Sequence, residues 1–234
     1  MADILEIKDL CAGYGHKDIL KDISFCASKG EFIALLGPNG SGKTTLLRSI
    51  IGLTKISSGN VFLGGEDSKK MSPKARARKL SFIPQVSSPL EGFSVEEIIE
   101  MGRYPHDTGS LADRIAVESS MGKLNLKGLR GSDVSRISGG EYQRVLIARA
   151  IVQETEIMLL DEPTAHLDIR YRIETMRILG SLKTEKLIIG VFHDIDLVKD
   201  YADRVIMMKS GRIAVDGPAE KVLNDQSIRD IFDI

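Results

Sequence analysis

The sequence predicts an α/β fold in three parts: a core on a parallel sheet, an antiparallel β-layer beside it, and a helical subdomain inserted into the core. Three observations predict it. The apolar run from Phe32 to Leu36 leads into a glycine-rich stretch, GPNGSGKT at 37–44, and a helix-spaced segment follows until Gly52. Further apolar runs at 80–84, 156–160 and 186–192 end in polar residues and alternate with helix-patterned segments, as parallel strands joined by crossovers require. Between 86 and 136 helix signals occur and strand runs do not. The chain therefore reads as one domain over 1–234, with its core at 1–85 and 150–234 and its helical subdomain at 86–149.

Composition narrows the function. A chain of 234 residues, 42% hydrophobic and 28% charged, can bury a sizeable core. The 32 basic residues balance 33 acidic ones, so no overall field draws it to nucleic acid or anionic lipid. No apolar run approaches 18 residues, and the first residues lack the pattern of a signal peptide. A cytoplasmic protein is expected. Cys11 and Cys26 are too few for a zinc site or disulfide framework and are expected to be buried, reduced thiols.

In chain order, strands are expected at 4–10, 19–26 and 31–36, with a short one at 61–63 after a turn at Ser57–Asn60. These short connections suggest the antiparallel layer. Tyr14, between Gly13 and Gly15, is placed to expose its ring as a stacking surface. Residues 37–44 fit G-x-x-x-x-G-K-[ST]. Glycines let successive backbone N–H groups turn inward as an anion nest, and the new helix points its positive end at the same place. Gly37, Pro38, Asn39, Gly40, Ser41, Gly42, Lys43, Thr44 and Thr45 thus form a candidate triphosphate cradle. Lys43 supplies a mobile positive charge, and the Thr44 hydroxyl is a ligand for Mg²⁺.

The Lys/Arg run at 69–79 has no interleaved aromatics and reads as a solvated helix face, with no nucleic-acid role. The strand at 80–84 delivers Gln85 to its carboxyl end, the ligand-binding edge of parallel sheets. Ser94 and Glu97 form a capping box for a helix, and 111–124 is a second amphipathic segment. Ser138, Gly139 and Gly140 open a helix over 142–153 with a second anion-binding start. The strand at 156–160 ends in Asp161 and Glu162. Asp161, nearer the strand, is suited to hold Mg²⁺ through water, and Glu162 to activate the attacking water. Asp168 caps a helix running to Leu182, and His193 arrives at a strand end where it can meet a γ-phosphate. Two strands at 205–209 and 212–216 flank a turn at Ser210-Gly211.

This ordered set of motifs, from Tyr14 to His193, resembles the ABC ATPases, the ATP-binding subunits of ATP-binding-cassette transporters. The resemblance implies ATP and Mg²⁺ as ligands and an adenine-stacking role for Tyr14. Gln85 would link Mg²⁺ and the γ-phosphate to the helical subdomain, and His193 would be the switch histidine. Ser138, Gly139 and Gly140 would cap the ATP of a second copy, with Asp168 facing across that homodimer. The usual L-S-G-G-Q is here Ile137-Ser138-Gly139-Gly140-Glu141, and the usual S-A-L-D is Ala165-His166-Leu167-Asp168. Gly102-Arg103-Tyr104-Pro105-His106, together with Thr164-Ala165-His166-Leu167-Asp168, narrows the resemblance to importers of iron–siderophore, haem or vitamin B12 type. It implies integral membrane permease subunits as partners, an extracytoplasmic binding protein acting indirectly, and a place on the cytoplasmic face of the membrane.

Three other classes compete. A DNA-repair or chromosome-organising ATPase needs a long coiled coil, and no sustained heptads separate Thr44 from Ser138. A small phosphate-loop kinase has no use for the second anion-binding helix start. A soluble ABC ATPase serving ribosomes has two cassettes in tandem, where this chain has one; the iron–sulfur assembly kind has the same architecture and stays open.

Overall fold

The computed structural model describes residues 3–85, 89–106 and 109–233. In chain order come strands β1 (Asp3–Tyr14), β2 (Lys17–Ser28) and β3 (Phe32–Leu36), helix α1 (Lys43–Ile50), and strands β4 (Lys55–Leu63) and β5 (Glu66–Asp67). Helix α2 (Pro73–Lys79) and strand β6 (Leu80–Ile83) precede three helices: α3 (Val95–Glu100), α4 (Ser110–Lys123) and α5 (Gly139–Val152). Then follow β7 (Ile157–Asp161), α6 (Ile169–Leu182), β8 (Leu187–Val191), α7 (Ile195–Tyr201), β9 (Arg204–Lys209), β10 (Arg212–Pro218), and two closing helices, α8 (Ala219–Val222) and α9 (Asp225–Phe232). The described strands form two sheets. One is antiparallel in the order β2-β1-β4-β5; the other runs β10-β9-β3-β8-β7-β6.

Every contact within the second sheet is parallel except that of β9 with β10. Its central strands, β3, β7 and β8, are buried at every residue, so they read as unbroken apolar runs rather than alternating ones. Alternation survives as a division of labour. Phe32, Ala34, Leu36, Met158, Leu160 and Ile188 join one core with α5 and α6. Ile33, Leu35, Leu159, Leu187 and Ile189 face the other, filled by α1 and the antiparallel sheet. Each fully buried aliphatic side chain contributes about 1.5–3 kcal/mol relative to exposure. Because β3, β6, β7 and β8 are parallel, their carboxyl ends share one edge, and that edge carries the phosphate loop, Gln85, Asp161–Glu162 and His193.

The three helices between β6 and β7 are an insertion between strands that are neighbours in the sheet. α3 and α4 both pack on α5 through Val95, Ile98, Ile99, Val117, Met121, Val145 and Leu146. Arg103 fastens this group at its base. Its buried guanidinium bonds Asp113 at 2.8 Å, Glu154 at 2.8 Å and the Val152 carbonyl. Gly102 sits so close to the Arg149 carbonyl that a Cβ would lie 2.2 Å from it. Tyr104, next in the same motif, is exposed.

Three local expectations change. No turn forms at Ser57–Asn60; β4 runs through it, and pairs Asn60 with Lys8 and Ser58 with Cys11. The extra residue on β1 is taken up by a bulge, with Asp9 at φ 46° and Gly59 at φ 76°. A Cβ on Gly59 would meet the Asp9 carbonyl at 2.3 Å, which explains the glycine. Cys26 is exposed on β2 and Cys11 only half-buried, both as free thiols. The basic run does lie on a helix with no buried residue, as expected of a solvated face, but Arg76 turns inward from it. Its guanidinium donates to the carbonyls of Ile51 at 3.0 Å and Ser68 at 2.7 Å, and so pins the end of α1. No helix among the described residues is long and apolar enough to cross a membrane.

Candidate nucleotide site

The loop between β3 and α1 has the backbone its glycines predict. Gly37, Gly40 and Gly42 all have positive φ, at 140°, 78° and 106°. At Gly37 a Cβ would lie 2.1 Å from the Met208 carbonyl, so any side chain there would drive the loop from β9. Helix α1 begins at Gly42 with no side-chain cap, and its first N–H groups are left to a ligand. Lys43 folds back over the loop and donates to the carbonyls of Gly37 at 2.7 Å and Pro38 at 3.0 Å. Burial pushes its amine below the ordinary value, with Glu162 and Asp161 opposing. Ser41 Oγ is buried with no hydrogen-bond partner. A buried orphan hydroxyl under an anion nest fits a phosphate oxygen.

The Thr44 hydroxyl donates to Asp161 Oδ1 at 2.9 Å, which joins the helix start to the end of β7. Burial raises the Asp161 carboxyl and the Glu162 charge adds to the rise, while the Thr44 hydrogen bond opposes it. A cation beside this pair would relieve the cost of the buried charge. Among the described residues no group of three or more His, Cys, Asp or Glu could hold a metal ion. A hard cation here would thus draw its other ligands from phosphate oxygens and water, as Mg²⁺ does.

Glu162 is where the strands converge. Its φ of 52° turns the chain sharply out of β7 and aims the carboxylate across the sheet edge. Gln85 Nε2 donates to Oε2 at 2.9 Å, and His193 Nε2 lies 2.9 Å from Oε1. One carboxylate thus gathers residues from the ends of β6, β7 and β8. It lines two clefts. One, of about 340 Å³, is walled by Tyr14, Ile19, Asn39, Gly40, Lys43, Thr44 and Thr45. The other, of about 430 Å³, is walled by Thr164, Ala165, Arg172, Phe192, His193 and Asp194.

Tyr14, 47% exposed as a residue, stands at the first cleft. Burial pushes the phenol up, but hydrogen bonds to the Arg48 and Thr45 side chains outweigh it and hold the group below its ordinary value. Arg48 is not legible as a site residue; it lies on the exposed face of α1, where Tyr14 reaches it and its charge also acts on Asp161. Asp168 caps α6 by accepting the Tyr171 N–H at 3.0 Å. Ser138 starts α5 in a closed capping box with Glu141. Neither Asp168 nor Ser138, Gly139 or Gly140 lines either cleft.

The family described as ABC transporter matches residues 20–165. The chain belongs to it. This ABC chain is 36% identical over 233 residues to the cobalamin import ATP-binding protein BtuD of Halobacterium salinarum, with 98% of it aligned. It spans only 58% of that relative's length. It is 34% identical to the petrobactin import ATP-binding protein FpuD of Bacillus anthracis, with 99% of this chain and 87% of that one covered. It is 32% identical to the iron(3+)-hydroxamate import ATP-binding protein FhuC of Bacillus subtilis, with 98% and 88% covered. Among solved structures it superimposes on an inward-facing transporter described as of metal-chelate type with a TM-score of 0.86. That match has 26% identity and covers 100% of this chain and 90% of the other.

Proposed function

We propose that this chain binds Mg²⁺ and ATP in the Tyr14–Thr45 cleft and hydrolyses the ATP to power import of a metal chelate of siderophore, haem or cobalamin type. It would work as a homodimer at the cytoplasmic face of the membrane, under permease subunits fed by an extracytoplasmic binding protein. The observation that carries this reading is the Glu162 carboxylate, held between Gln85 and His193 beside Lys43 and Thr44. Support for the transported class comes from relatives named for cobalamin, petrobactin and iron–hydroxamate import.

In this reading Tyr14 stacks on the base, and the N–H groups of residues 37–45 and Lys43 hold the phosphates. Thr44, Asp161 and Gln85 would hold Mg²⁺, which when bound draws charge from the phosphate oxygens. Glu162 orients a water and takes its proton as the oxygen attacks, so Gln85 and His193 must loosen their hold on it. His193, 46% exposed, is free to turn toward the γ-phosphate. Ser138, Gly139, Gly140 and Asp168, absent from both cleft walls, serve the second copy's nucleotide. The helical subdomain over 86–149 carries movement at Gln85 to the permease; residues 86–88 lie outside those described.

A tagged Glu162→Gln chain purified from its native membranes tests both halves. It should keep ATP affinity, lose hydrolysis by about 10²–10⁴-fold, and bring a polytopic permease with it. Near-normal turnover would remove Glu162 from its role, and recovery without a membrane protein would remove the importer.

A further inference from the structure

The start of α5 is occupied by its own chain. Ser138 donates both its hydroxyl, at 2.7 Å, and its N–H, at 2.8 Å, to one carboxylate oxygen of Glu141. The Glu141 N–H returns a bond to Ser138 Oγ at 3.3 Å. The same closed box starts α3 at Ser94 and Glu97, where no ligand is expected. For the helix alone this is a good arrangement: two orphan donors are satisfied, and a negative charge sits at the positive end of the dipole. For a phosphate it is a poor one. The Ser138 donors are taken, and the group that takes them is an anion. Hydrogen bonds from Ser138, with the Arg144 charge behind them, hold the Glu141 carboxyl below the usual range and so ionised at neutral pH.

One turn further along lies a second donor for that carboxylate. Arg144 bonds Glu174 through one terminal nitrogen at 3.1 Å, and its guanidinium carbon is 5.9 Å from the centre of the Tyr171 ring. Its Nε is buried with no hydrogen-bond partner. Residues three apart on a helix are neighbours, so the Glu141 carboxylate has only to rotate to reach the Arg144 charge.

We propose that Glu141 is a charge latch on the phosphate-capping end of α5. It holds Ser138 until the terminal phosphate of the second copy's ATP draws the hydroxyl and N–H away, and the carboxylate then passes to Arg144. This rests on the reading above, that the Ser138 helix serves a nucleotide in trans. The latch makes closure weaker and shorter-lived than a neutral side chain would, because each closing helix brings a negative charge toward a triphosphate. Glutamine is the informative replacement. It completes the same S-x-x-Q box, so the helix start survives while the charge is lost.

The test uses full-length chains carrying Glu162→Gln, in which ATP is retained, and reads dimerisation by sedimentation equilibrium with saturating Mg-ATP. Adding Glu141→Gln should tighten the dimer about tenfold at low ionic strength, and the gain should shrink as salt is raised. Thermal stability should fall only slightly, as the α5 dipole loses its carboxylate, and the ATP affinity of dilute, monomeric chain should not move. Arg144→Gln should weaken the dimer while Glu141 is present and lose that effect once Glu141→Gln is added, as a double-mutant cycle reads coupling. Equal dimer constants with glutamate and glutamine at every salt concentration, or a weaker dimer with glutamine, would overturn the latch and leave sharing in trans intact. No ATP-dependent dimer with either side chain would remove the sharing and the latch together.

Discussion

Two helices of this chain begin where an anion can sit, and they begin differently. α1 starts at Gly42 in left-handed backbone, without a side-chain cap. α5 starts at Ser138 with every donor of that residue bonded to Glu141. A glycine at the start, in place of a capping side chain, costs only about a few tenths of a kcal/mol. α1 offsets this by burying Leu46, Leu47 and Ile50 completely between the two sheets. α5 needs no ligand to be a well-formed helix. On the proposed reading the difference would separate the two tasks in time: the open start would take a phosphate unaided, and the closed one would engage only when something displaces its own carboxylate.

The largest effect comes from breaking the open start. Lys43→Ala removes a positive charge that folds over the Gly37 and Pro38 carbonyls. ATP affinity, read by titration calorimetry, should fall by about 10²-fold, the loss of a charge-assisted pair of some 2–3 kcal/mol. The fold should not suffer, because burial already disfavours the ammonium. Unchanged affinity would mean that the N–H groups of α1 bind phosphate without the lysine, and the comparison would have to be redrawn around the backbone alone.

The open start was legible in the sequence and the closed one only in part, for a physical reason. The phosphate loop is local: glycine spacing, one strand and one helix specify it, and Phe32–Leu36 and Thr44–Ile50 show their patterns plainly. The carboxyl-end residues Gln85, Asp161, Glu162 and His193 were also legible, because parallel strands must end at one edge. Ser138 reads as an anion-binding start, yet Ser138-x-x-Glu141 is the same pattern that marks Ser94 and Glu97 as a box. Other departures depend on partners distant in sequence. Ser57–Asn60 has turn residues but is pulled straight by β1, whose Asp9 bulges to keep register. Arg103 stands in a polar motif and is buried because Asp113 on α4 and Glu154 in the turn after α5 converge on it. Cys26 points to solvent because its neighbours on β2, Phe25 and Ala27, face the core.

A smaller effect sharpens the comparison at the closed start. A Cβ on Gly140 would lie 2.2 Å from the Tyr171 ring, whereas on Gly139 the nearest atom, Leu167 Cδ2, would be 3.8 Å away. Gly140→Ala must push α6 from α5, and overpacking of this kind costs about 1–3 kcal/mol. Gly139→Ala meets no such obstacle and should change stability by less than about 0.5 kcal/mol. Denaturant midpoints of the two variants measure the difference. If both were neutral, α5 and α6 would be less rigidly joined than their packing indicates.

The smallest effect concerns the acid that ties the open start to β7. Asp161 is 2% exposed, and burial foremost, then the Glu162 charge, lifts its carboxyl against the pull of the Thr44 hydroxyl. A carboxyl raised on folding binds its proton more tightly in the folded chain. Its contribution to stability is therefore complete below the ordinary carboxylate range and is lost as pH rises through the raised folded value. Asp161→Asn keeps an oxygen to accept the Thr44 hydroxyl and carries no charge. Without Mg²⁺ or nucleotide it should be more stable than the parent at neutral pH by on the order of 1 kcal/mol, and the gain should vanish below about pH 4. Hydrolysis should fall in the same variant, because the residue proposed to hold the cation is gone. Thermal unfolding at the two pH values decides the sign. A variant that is less stable at neutral pH would mean that the Thr44–Asp161 bond outweighs the burial of the charge, and that the uncapped start of α1 leans on this carboxylate for support as well as for chemistry.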